Sequence, residues 1–271
     1  MSSETSEEGY LVSIAGMMAG WDKPQEKFNA AFAKNEFILF SQSIVKLTPG
    51  GDNRAHFEVF VRLQEEERHL IPPGSFLPML EHLNLGPTLD CYVVHTLLGG
   101  LRTIKAGERG VAHLNLCGAT LADPDFCSFV EAELKRSGIT GDSLCFEFPA
   151  NEKNYPVSAI TLAEGLRKIG CQISVGAMDD VNIPFRPIKE LGAAFLKIGG
   201  RLIQELAHSE AAVAEVRTAA HACRSFEVQT IAQNVEDAPT LKLLRKIDVG
   251  FAQGYGISRP GPLGGAVITA A

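Results

Sequence analysis

The feature that most constrains this chain is an alternation of short apolar runs with stretches of helical periodicity. Helical periodicity separates the later runs, over residues 123–136, 157–169 and 200–224. Strands that alternate with helices in this way are typical of a parallel β-sheet. Eight runs have strand length: 37–47, 56–63, 111–116, 143–148, 171–177, 194–198, 227–232 and 250–255.

The connection between the first two runs indicates how the sheet begins. Residues 48–53 are turn formers and are too few for a crossover helix, so the first strand should be antiparallel. The pattern therefore predicts an α/β chain folded as a modified TIM-type (β/α)8 barrel with an antiparallel first strand. The length of 271 residues fits one such barrel of about 250 residues plus an extension. We assign residues 1–25 to an N-terminal arm or linker and 26–271 to the barrel domain.

Composition narrows the classes of partner. The chain carries 32 acidic and 25 basic side chains, a formal charge of −7, so a broad basic face for DNA or RNA is not expected. Its six cysteines show neither zinc nor paired spacing, which favours free thiols in a reducing compartment. The acidic N-terminus lacks the pattern of a signal peptide. We therefore expect a cytoplasmic chain with no direct membrane insertion.

Polar side chains stand at the ends of several apolar runs. A carboxylate flanked by phenylalanines, such as Glu147, is costly to bury unless it is paired or liganded. An ion pair with Lys197 would be a purely structural explanation. Convergence of many such residues on one end of a barrel instead favours a functional site. The residues in question are Glu58, Asn115, Glu147, Lys197, Gln233 and Gln253.

The second strand adds groups suited to recognition. Alternation places Glu58, Phe60 and Arg62 on one face of that strand. An aromatic ring there could stack on a purine, although core packing is the alternative, and the guanidinium suits a phosphate. Gln42 in the first strand offers an amide for a guanine edge or a phosphate.

Three further candidates follow the second strand. Phe76 and Pro78, placed in a loop by the sequence, either add a second apolar surface or cap the barrel. Asp90, at a predicted helix start, either N-caps that helix or accepts from the two N–H groups of a guanine.

An ordered set of motifs resembles the EAL domain family, from about residue 37 to residue 263. FSQSIV at 40–45 is similar to the family's YQPIV, and EVF at 58–60 stands in the place of EAL. LNL at 114–116, FLKI at 195–198 and AQGY at 252–255 resemble later family strands. The resemblance implies a barrel that takes cyclic di-GMP as its ligand, which active members hydrolyse with divalent metals. It also implies that Asp90 faces the ligand.

Departures from the family pattern concern its acidic residues. When this sequence is aligned with the family pattern without a gap, Gly176 and Ala177 stand where active members have two aspartates. Asp179 and Asp180 are then acidic residues of a turn. Ala150, Gly199 and Gln233 stand at three further acidic positions. Two carboxylates, Glu58 and Glu147, are too few for a pair of divalent metals.

We therefore predict an inactive domain with no catalytic residues, no metal and no cofactor, which binds cyclic di-GMP. The EVF variant and these losses most resemble FimX-type regulators of type IV pili, which implies signalling to a protein such as a PilZ-type adaptor in twitching motility. A protein-interaction domain that no longer binds nucleotide, or a residual phosphodiesterase, are the alternatives. The predicted ligand-binding residues are Gln42, Glu58, Phe60, Arg62, Phe76, Pro78, Asp90, Asn115, Glu147, Lys197, Gln233 and Gln253.

Overall fold

The structure is a computed structural model that describes residues 23–49, 53–65, 69–150, 155–178 and 185–264. The strands in these ranges are β1 Phe37–Lys46, β2 His56–Gln64, β3 Leu70–Ile71, β4 Val111–Asn115, β5 Leu144–Phe148, β6 Gln172–Met178, β7 Phe195–Ile198, β8 Gln229–Ala232, β9 Phe251–Ala252 and β10 Gly261–Pro262. The helices are α1 Pro24–Lys34, α2 Pro73–His82, α3 Gly86–Leu101, α4 Phe126–Ser137, α5 Val157–Lys168, α6 Phe185–Leu191, α7 Gly200–Glu205, α8 Glu210–Ser225 and α9 Ala238–Lys246.

Eight strands close into a barrel. The order β1, β2, β4, β5, β6, β7, β8, β9 returns to β1 through a β9–β1 pairing, while β3 and β10 are short additions. Strand β1 is antiparallel to both β2 and β9, and the remaining barrel pairings are parallel. The predicted barrel with an antiparallel first strand is confirmed.

Strand alternation decides which side chains enter the barrel. In the β1–β2 ladder Gln42 lies opposite Glu58 and Phe40 opposite Phe60, so these four side chains share one face. The opposite face of β2 contributes Phe57 and other apolar side chains to the core beneath the helices. The carboxyl ends of the parallel strands form one end of the barrel, which we call the mouth.

Helix α1 belongs to the packed body. Phe28 and Ala31 are buried against Phe37 and Leu63 of the first two strands. The proposed arm, residues 1–25, lies almost wholly outside the described residues, so its boundary stays a prediction.

Two details of the predicted elements are wrong. The helix predicted over 200–224 is two helices, α7 and α8, because the hydroxyl of Ser209 caps a new start by accepting from the Ala212 amide. Phe76 and Pro78 lie in the ten-residue helix α2 and not in a loop. Pro73 stands in the first turn, where a backbone N–H has no partner within the helix, so only Pro78 removes a helical hydrogen bond.

All six cysteines are free thiols, in agreement with their scattered spacing. Within the described ranges, no helix combines the length and the apolar character that a membrane crossing requires.

Candidate functional site

Glu58 of β2 lies at the centre of the barrel and is 3% exposed. Its Oε1 accepts a 2.7 Å hydrogen bond from the Asn115 amide, and its Oε2 accepts one of 2.7 Å from the Gln253 amide. The ammonium of Lys197 lies 2.8 Å from the same Oε2. One cation and two amide donors therefore offset the free-energy cost of burying this carboxylate.

Lys197 of β7 joins two carboxylates. Its fully buried ammonium forms ion pairs with Glu58 and with Glu147 of β5. The Glu147–Lys197 pair proposed from sequence is thus present, and Glu58 adds a second carboxylate to it. A buried cation between two carboxylates sets the electrostatics of the barrel centre.

The three groups shift one another's pKa. Burial raises the pKa of Glu58, but the charge and hydrogen bond of Lys197, together with the two amide donors, outweigh burial and lower it. For Glu147, burial and the neighbouring negative charge of Glu58 outweigh Lys197 and raise the pKa. Burial opposes the charge on Lys197, but the two carboxylates hold its pKa above the ordinary value. Lys197 therefore remains a cation at neutral pH.

Gln253 connects Glu58 to the first strand. Its Nε2 donates to Glu58 Oε2 and, at 3.0 Å, to Gln42 Oε1, while the Nε2 of Gln42 donates to the Ser258 carbonyl at 2.7 Å. These contacts fix the orientation of both amides, because a flipped Gln253 would face two acceptors with its oxygen. Gln42, 5% exposed, thus serves the internal network with both ends of its amide.

Phe60 and Arg62 follow Glu58 on the same face of β2, nearer the mouth, and both are half-buried. The Arg62 guanidinium carbon lies 5.5 Å from the centre of the Phe40 ring, and its Nη1 donates to the Val61 carbonyl at 3.2 Å. Among the described residues no carboxylate forms an ion pair with it. The guanidinium is therefore held by an aromatic face and keeps charge available for an anion.

A cavity of about 180 Å³ opens beside Phe60. It lies between strands β2 and β4 and helices α2 and α3, and Asn115, Asp90, Leu77 and Glu81 line it together with Phe60. Three residues singled out from sequence, Phe60, Asp90 and Asn115, thus meet at one apolar cleft with polar edges.

Asp90 binds the β4–α4 connection. It lies inside helix α3, whose N-cap is Leu85, so the N-cap alternative is wrong. Its Oδ2 accepts from the Cys117 amide at 2.8 Å and from the Thr120 hydroxyl at 2.6 Å. Burial outweighs these donors and raises its pKa from 3.8 to about 6.

The raised pKa predicts a pH-dependent stability for Asp90→Asn. Between about pH 4 and pH 6 the folded protein holds a proton that the unfolded chain has released, so this group's contribution is lost as pH rises through that window. Asparagine keeps an acceptor without the charge. We expect the free energy of unfolding of Asp90→Asn, relative to the wild type, to increase by on the order of 2–3 kcal/mol from pH 4.5 to pH 7.5. Urea unfolding at both pH values measures it, and a constant difference would contradict it.

Of the remaining predicted site residues, Phe76 and Pro78 lie in helix α2, and Gln233 follows the carboxyl end of β8 at the mouth. Phe76 is 0% exposed and packs 5.7 Å, centre to centre, from Phe37, which corresponds to the capping alternative. Pro78 is half-buried in α2, and Gln233 is half-buried just beyond β8.

The described residues do not fit a pair of divalent cations. The barrel centre supplies two carboxylates, both already paired with Lys197, and the amides of Asn115 and Gln253 direct N–H groups at Glu58. In the described ranges no group of three or more His, Cys, Asp or Glu side chains is arranged to hold a metal ion. Asp179 and Asp180 lie outside those ranges.

Gly176 shows how closely β5 and β6 approach at the mouth. A Cβ on Gly176 would lie 3.0 Å from the Ala150 nitrogen and 3.3 Å from Glu147 Oε1. A side chain at this position would therefore require the neighbouring backbone to shift by a few tenths of an ångström.

A histidine pair beneath Lys197 was missed in the sequence analysis. His56 Nδ1 and His113 Nε2 are 3.1 Å apart inside the barrel, where both rings are buried. Burial, followed by the charge of Lys197, lowers the pKa of His113 well below 6.5, so that ring is neutral. The strand alternation in the sequence indicates the position of His56, because His56 is two residues from Glu58 and therefore lies on the same strand face.

Comparison with known sequences gives one family match. A model described as "EAL domain" matches residues 25–260. "Cyclic di-GMP phosphodiesterase PdeB" of Shewanella oneidensis is 27% identical over 86% of this chain, and "Cyclic di-GMP phosphodiesterase PdeF" of Escherichia coli is 26% identical over 88%. The chain spans only 27% and 32% of the lengths of these two relatives.

Solved structures share the fold. The FimX EAL domain from Pseudomonas aeruginosa bound to c-di-GMP has a TM-score of 0.79 at 25% identity, covering 86% of this chain and 94% of that one. The FimX EAL domain of Xanthomonas citri in complex with c-diGMP also has a TM-score of 0.79, at 19% identity, covering 96% of this chain and 98% of that one.

Proposed function

The chain belongs to the EAL domain family, and from that premise we propose that it is a receptor that binds cyclic di-GMP at the barrel mouth without hydrolysing it. The observation that carries the proposal is that the barrel centre supplies only two carboxylates among the described residues, Glu58 and Glu147, and that both pair with Lys197. Lys197 offsets one of the two negative charges and occupies both carboxylates, and two carboxylates are too few oxygen ligands for a pair of divalent metals.

The absence of hydrolysis is argued from the residues that stand at the family's other acidic positions and from Lys197. A two-metal phosphodiester hydrolysis needs a metal-bound water of lowered pKa and a cation at the leaving oxygen. Gly176, Gly199, Ala150 and Gln233 offer no carboxylate for either task. Lys197 is held protonated by its two partners, so it is a poor general base.

Recognition groups are present at the mouth. Phe60 lies beside an apolar cleft, and Arg62 carries a charge that no described carboxylate neutralises. A dinucleotide with two purines and two phosphates presents a stacking face and anionic oxygens that match these groups. The FimX structure at 25% identity is described as bound to c-di-GMP, which supports this ligand.

Phe60→Ala is expected to weaken cyclic di-GMP binding by about 1–3 kcal/mol, because a stacking contact of that size would be lost. The change corresponds to roughly a five- to 150-fold higher Kd in calorimetry. Phe76→Leu, in the core of the same region, serves as the control and should leave the affinity close to that of the wild type. Equal affinities of Phe60→Ala and the wild type would remove Phe60 from the site.

Arg62→Ala is expected to weaken binding and to reduce its salt dependence. The guanidinium would contribute an attraction to phosphate that salt screens, so the gap between wild type and variant should narrow as salt increases. Titrations at low and high salt measure this gap. A gap that does not change with salt would indicate that Arg62 acts through packing alone.

Signalling to a partner is the second half of the proposal. A receptor that does not turn over its ligand needs a protein that reads its occupancy, and resemblance to FimX-type regulators favours a PilZ-type adaptor in the cytoplasm and a role in type IV pilus control. Pull-down of such an adaptor by this chain, with and without cyclic di-GMP, tests this part separately.

The same titration also tests two other candidate functions. No binding at about 100 μM cyclic di-GMP would overturn the receptor and favour a protein-interaction domain. Hydrolysis is the other candidate, favoured by the names of the two curated relatives and by the presence of Glu58, Asn115 and Glu147.

A further inference from the structure

A second arginine lies on an aromatic ring at the mouth of the barrel. Arg259 belongs to the connection between β9 and β10, and its guanidinium carbon lies 5.3 Å from the centre of the Tyr255 ring. Arg62 is held in the same way, 5.5 Å from the centre of the Phe40 ring. We propose that Arg259 binds the second phosphate of a cyclic dinucleotide whose first phosphate lies at Arg62. This inference rests on the proposed function, because it assigns a further contact to the same ligand.

Strand register places the connection at the mouth. β10 pairs with β1 at Phe40 and Ser41, and Phe40 in turn lies opposite Phe60 of β2. Neighbouring strands are about 4.8 Å apart, so β10 lies about 10 Å from β2, on the far side of β1. Arg62 and Arg259 therefore belong to chain segments on either side of β1, which suits two phosphates of one ligand.

Hydrogen bonds and close packing hold the connection in one conformation. The Ser258 carbonyl accepts from Gln42 Nε2 at 2.7 Å, and the Ser258 hydroxyl accepts from the Ser43 amide at 3.2 Å. Gly254 lets the connection lie against the segment after β8, because a Cβ there would be 2.2 Å from that backbone. Arg259 thus directly follows a residue that the barrel fixes, so less conformational entropy is lost when it binds an anion.

The charge of Arg259 is available to a ligand. The residue is exposed, and among the described residues no carboxylate forms an ion pair with it. The Tyr255 residue is 60% exposed, so its ring supports the guanidinium without enclosing it. A guanidinium can donate two parallel hydrogen bonds to phosphate oxygens, and contact with an aromatic face favours one orientation of the group.

The cation at the barrel centre does not replace Arg259. Lys197 is 0% exposed, and its ammonium is already paired with Glu58 and Glu147. A cyclic dinucleotide carries one negative charge on each of its two phosphodiesters, and Arg62 offsets only one of them. Arg259 supplies a second positive charge at the same end of the barrel, so the two arginines match the charge of the ligand.

Calorimetric titration of cyclic di-GMP into the full chain and its variants tests the assignment. We expect Arg259→Ala to raise Kd about three- to tenfold, with a gap to the wild type that narrows as salt increases. The double variant Arg62→Ala, Arg259→Ala should show the product of the two single effects, because the arginines bind different phosphates. Arg217→Ala, on the exposed face of α8, removes the same charge and should leave Kd within about twofold of the wild type. Unfolding temperatures measured in parallel confirm that each variant is folded.

Tyr255 is a positioning residue for Arg259, and its variants separate that role from direct stacking on the ligand. Tyr255→Phe keeps the ring and should keep the wild-type affinity, whereas Tyr255→Leu should raise Kd by part of the Arg259→Ala effect. In an Arg259→Ala background, Tyr255→Leu should have no further effect. A full further effect there would show that the ring, and not the guanidinium, meets the ligand, and would overturn the assignment.

Two other results would overturn the inference and leave the receptor standing. One is an equal Kd for Arg259→Ala and the wild type when Arg62→Ala weakens binding. The other is a double variant that binds as well as Arg62→Ala alone, which would place both arginines at one phosphate. If the wild type does not bind cyclic di-GMP at about 100 μM, the proposed function itself is overturned, and this inference with it.

Discussion

Lys197→Met is expected to lower the free energy of unfolding by about 3–5 kcal/mol, or to prevent folding altogether. Lys197 is 0% exposed and is the cation that pairs with both Glu58 and Glu147. Methionine fills a similar volume but leaves two carboxylates in the barrel interior without a counter-charge. Urea or thermal unfolding of the purified variant measures the loss.

The reason for that loss can be tested with neutral partners. In the triple variant Lys197→Met, Glu58→Gln, Glu147→Gln the charges are removed together, and replacing a whole buried ion pair is often close to neutral. We therefore expect the triple variant to fold and to recover most of the lost stability. A triple variant no more stable than Lys197→Met would show that packing, and not uncompensated charge, is responsible.

The pH dependence of Lys197→Met should also differ from that of the wild type. Without the lysine, burial would raise the folded-state pKa of both glutamates above the unfolded value of 4.5, so stability is lost as pH rises and regained as pH falls toward that value. In the wild type the pKa of Glu58 is lowered, so its contribution is present above about pH 4.5 and is lost in acid.

Gly176→Asp is expected to destabilise the fold without creating hydrolysis. The new Cβ would lie 3.0 Å from the Ala150 nitrogen and 3.2 Å from the Phe148 oxygen, so the neighbouring backbone must move. The new carboxylate would also stand beside Glu147, whose Oε1 is 3.3 Å from that Cβ. Overpacking typically costs about 1–3 kcal/mol, and like-charge repulsion adds to it.

Matched variants separate the two causes. Gly176→Ala introduces the crowding alone, and Gly176→Asn adds the bulk of aspartate without its charge. We expect unfolding temperatures to fall in the order wild type, Gly176→Ala, Gly176→Asn, Gly176→Asp. If Gly176→Asp unfolds at the wild-type temperature and hydrolyses cyclic di-GMP with Mn²⁺, one missing carboxylate was the whole deficit and the account of the site is wrong.

The sequence predicted the architecture because the relevant signals are local. Period-two apolar runs, helical stretches between them and the short 48–53 turn specify strand number, strand direction and the closed barrel. The Glu147–Lys197 pair was also considered, because both residues stand near the carboxyl ends of predicted parallel strands, which meet at one end of a barrel. The split between α7 and α8 depends on the cap at Ser209, a weaker signal inside a long periodic stretch.

Contacts across the barrel could not be predicted in the same way. Gln42 and Gln253 are 211 residues apart in sequence, and their hydrogen bond depends on closure of β9 onto β1. Asp90 reaches Cys117 and Thr120 only because α3 packs beside the β4–α4 connection. The full burial of Phe76 likewise depends on α1 and α2 packing against Phe37, which no local pattern reveals.

The most direct test of binding without cleavage is a titration with cyclic di-GMP in EDTA and in Mn²⁺, followed by chromatography of the recovered nucleotide. We expect saturable binding in both solutions and recovery of the intact cyclic dinucleotide. A linear dinucleotide formed with Mn²⁺ by the wild type, and not by Glu58→Ala, would contradict the account and identify the chain as a metal-dependent phosphodiesterase.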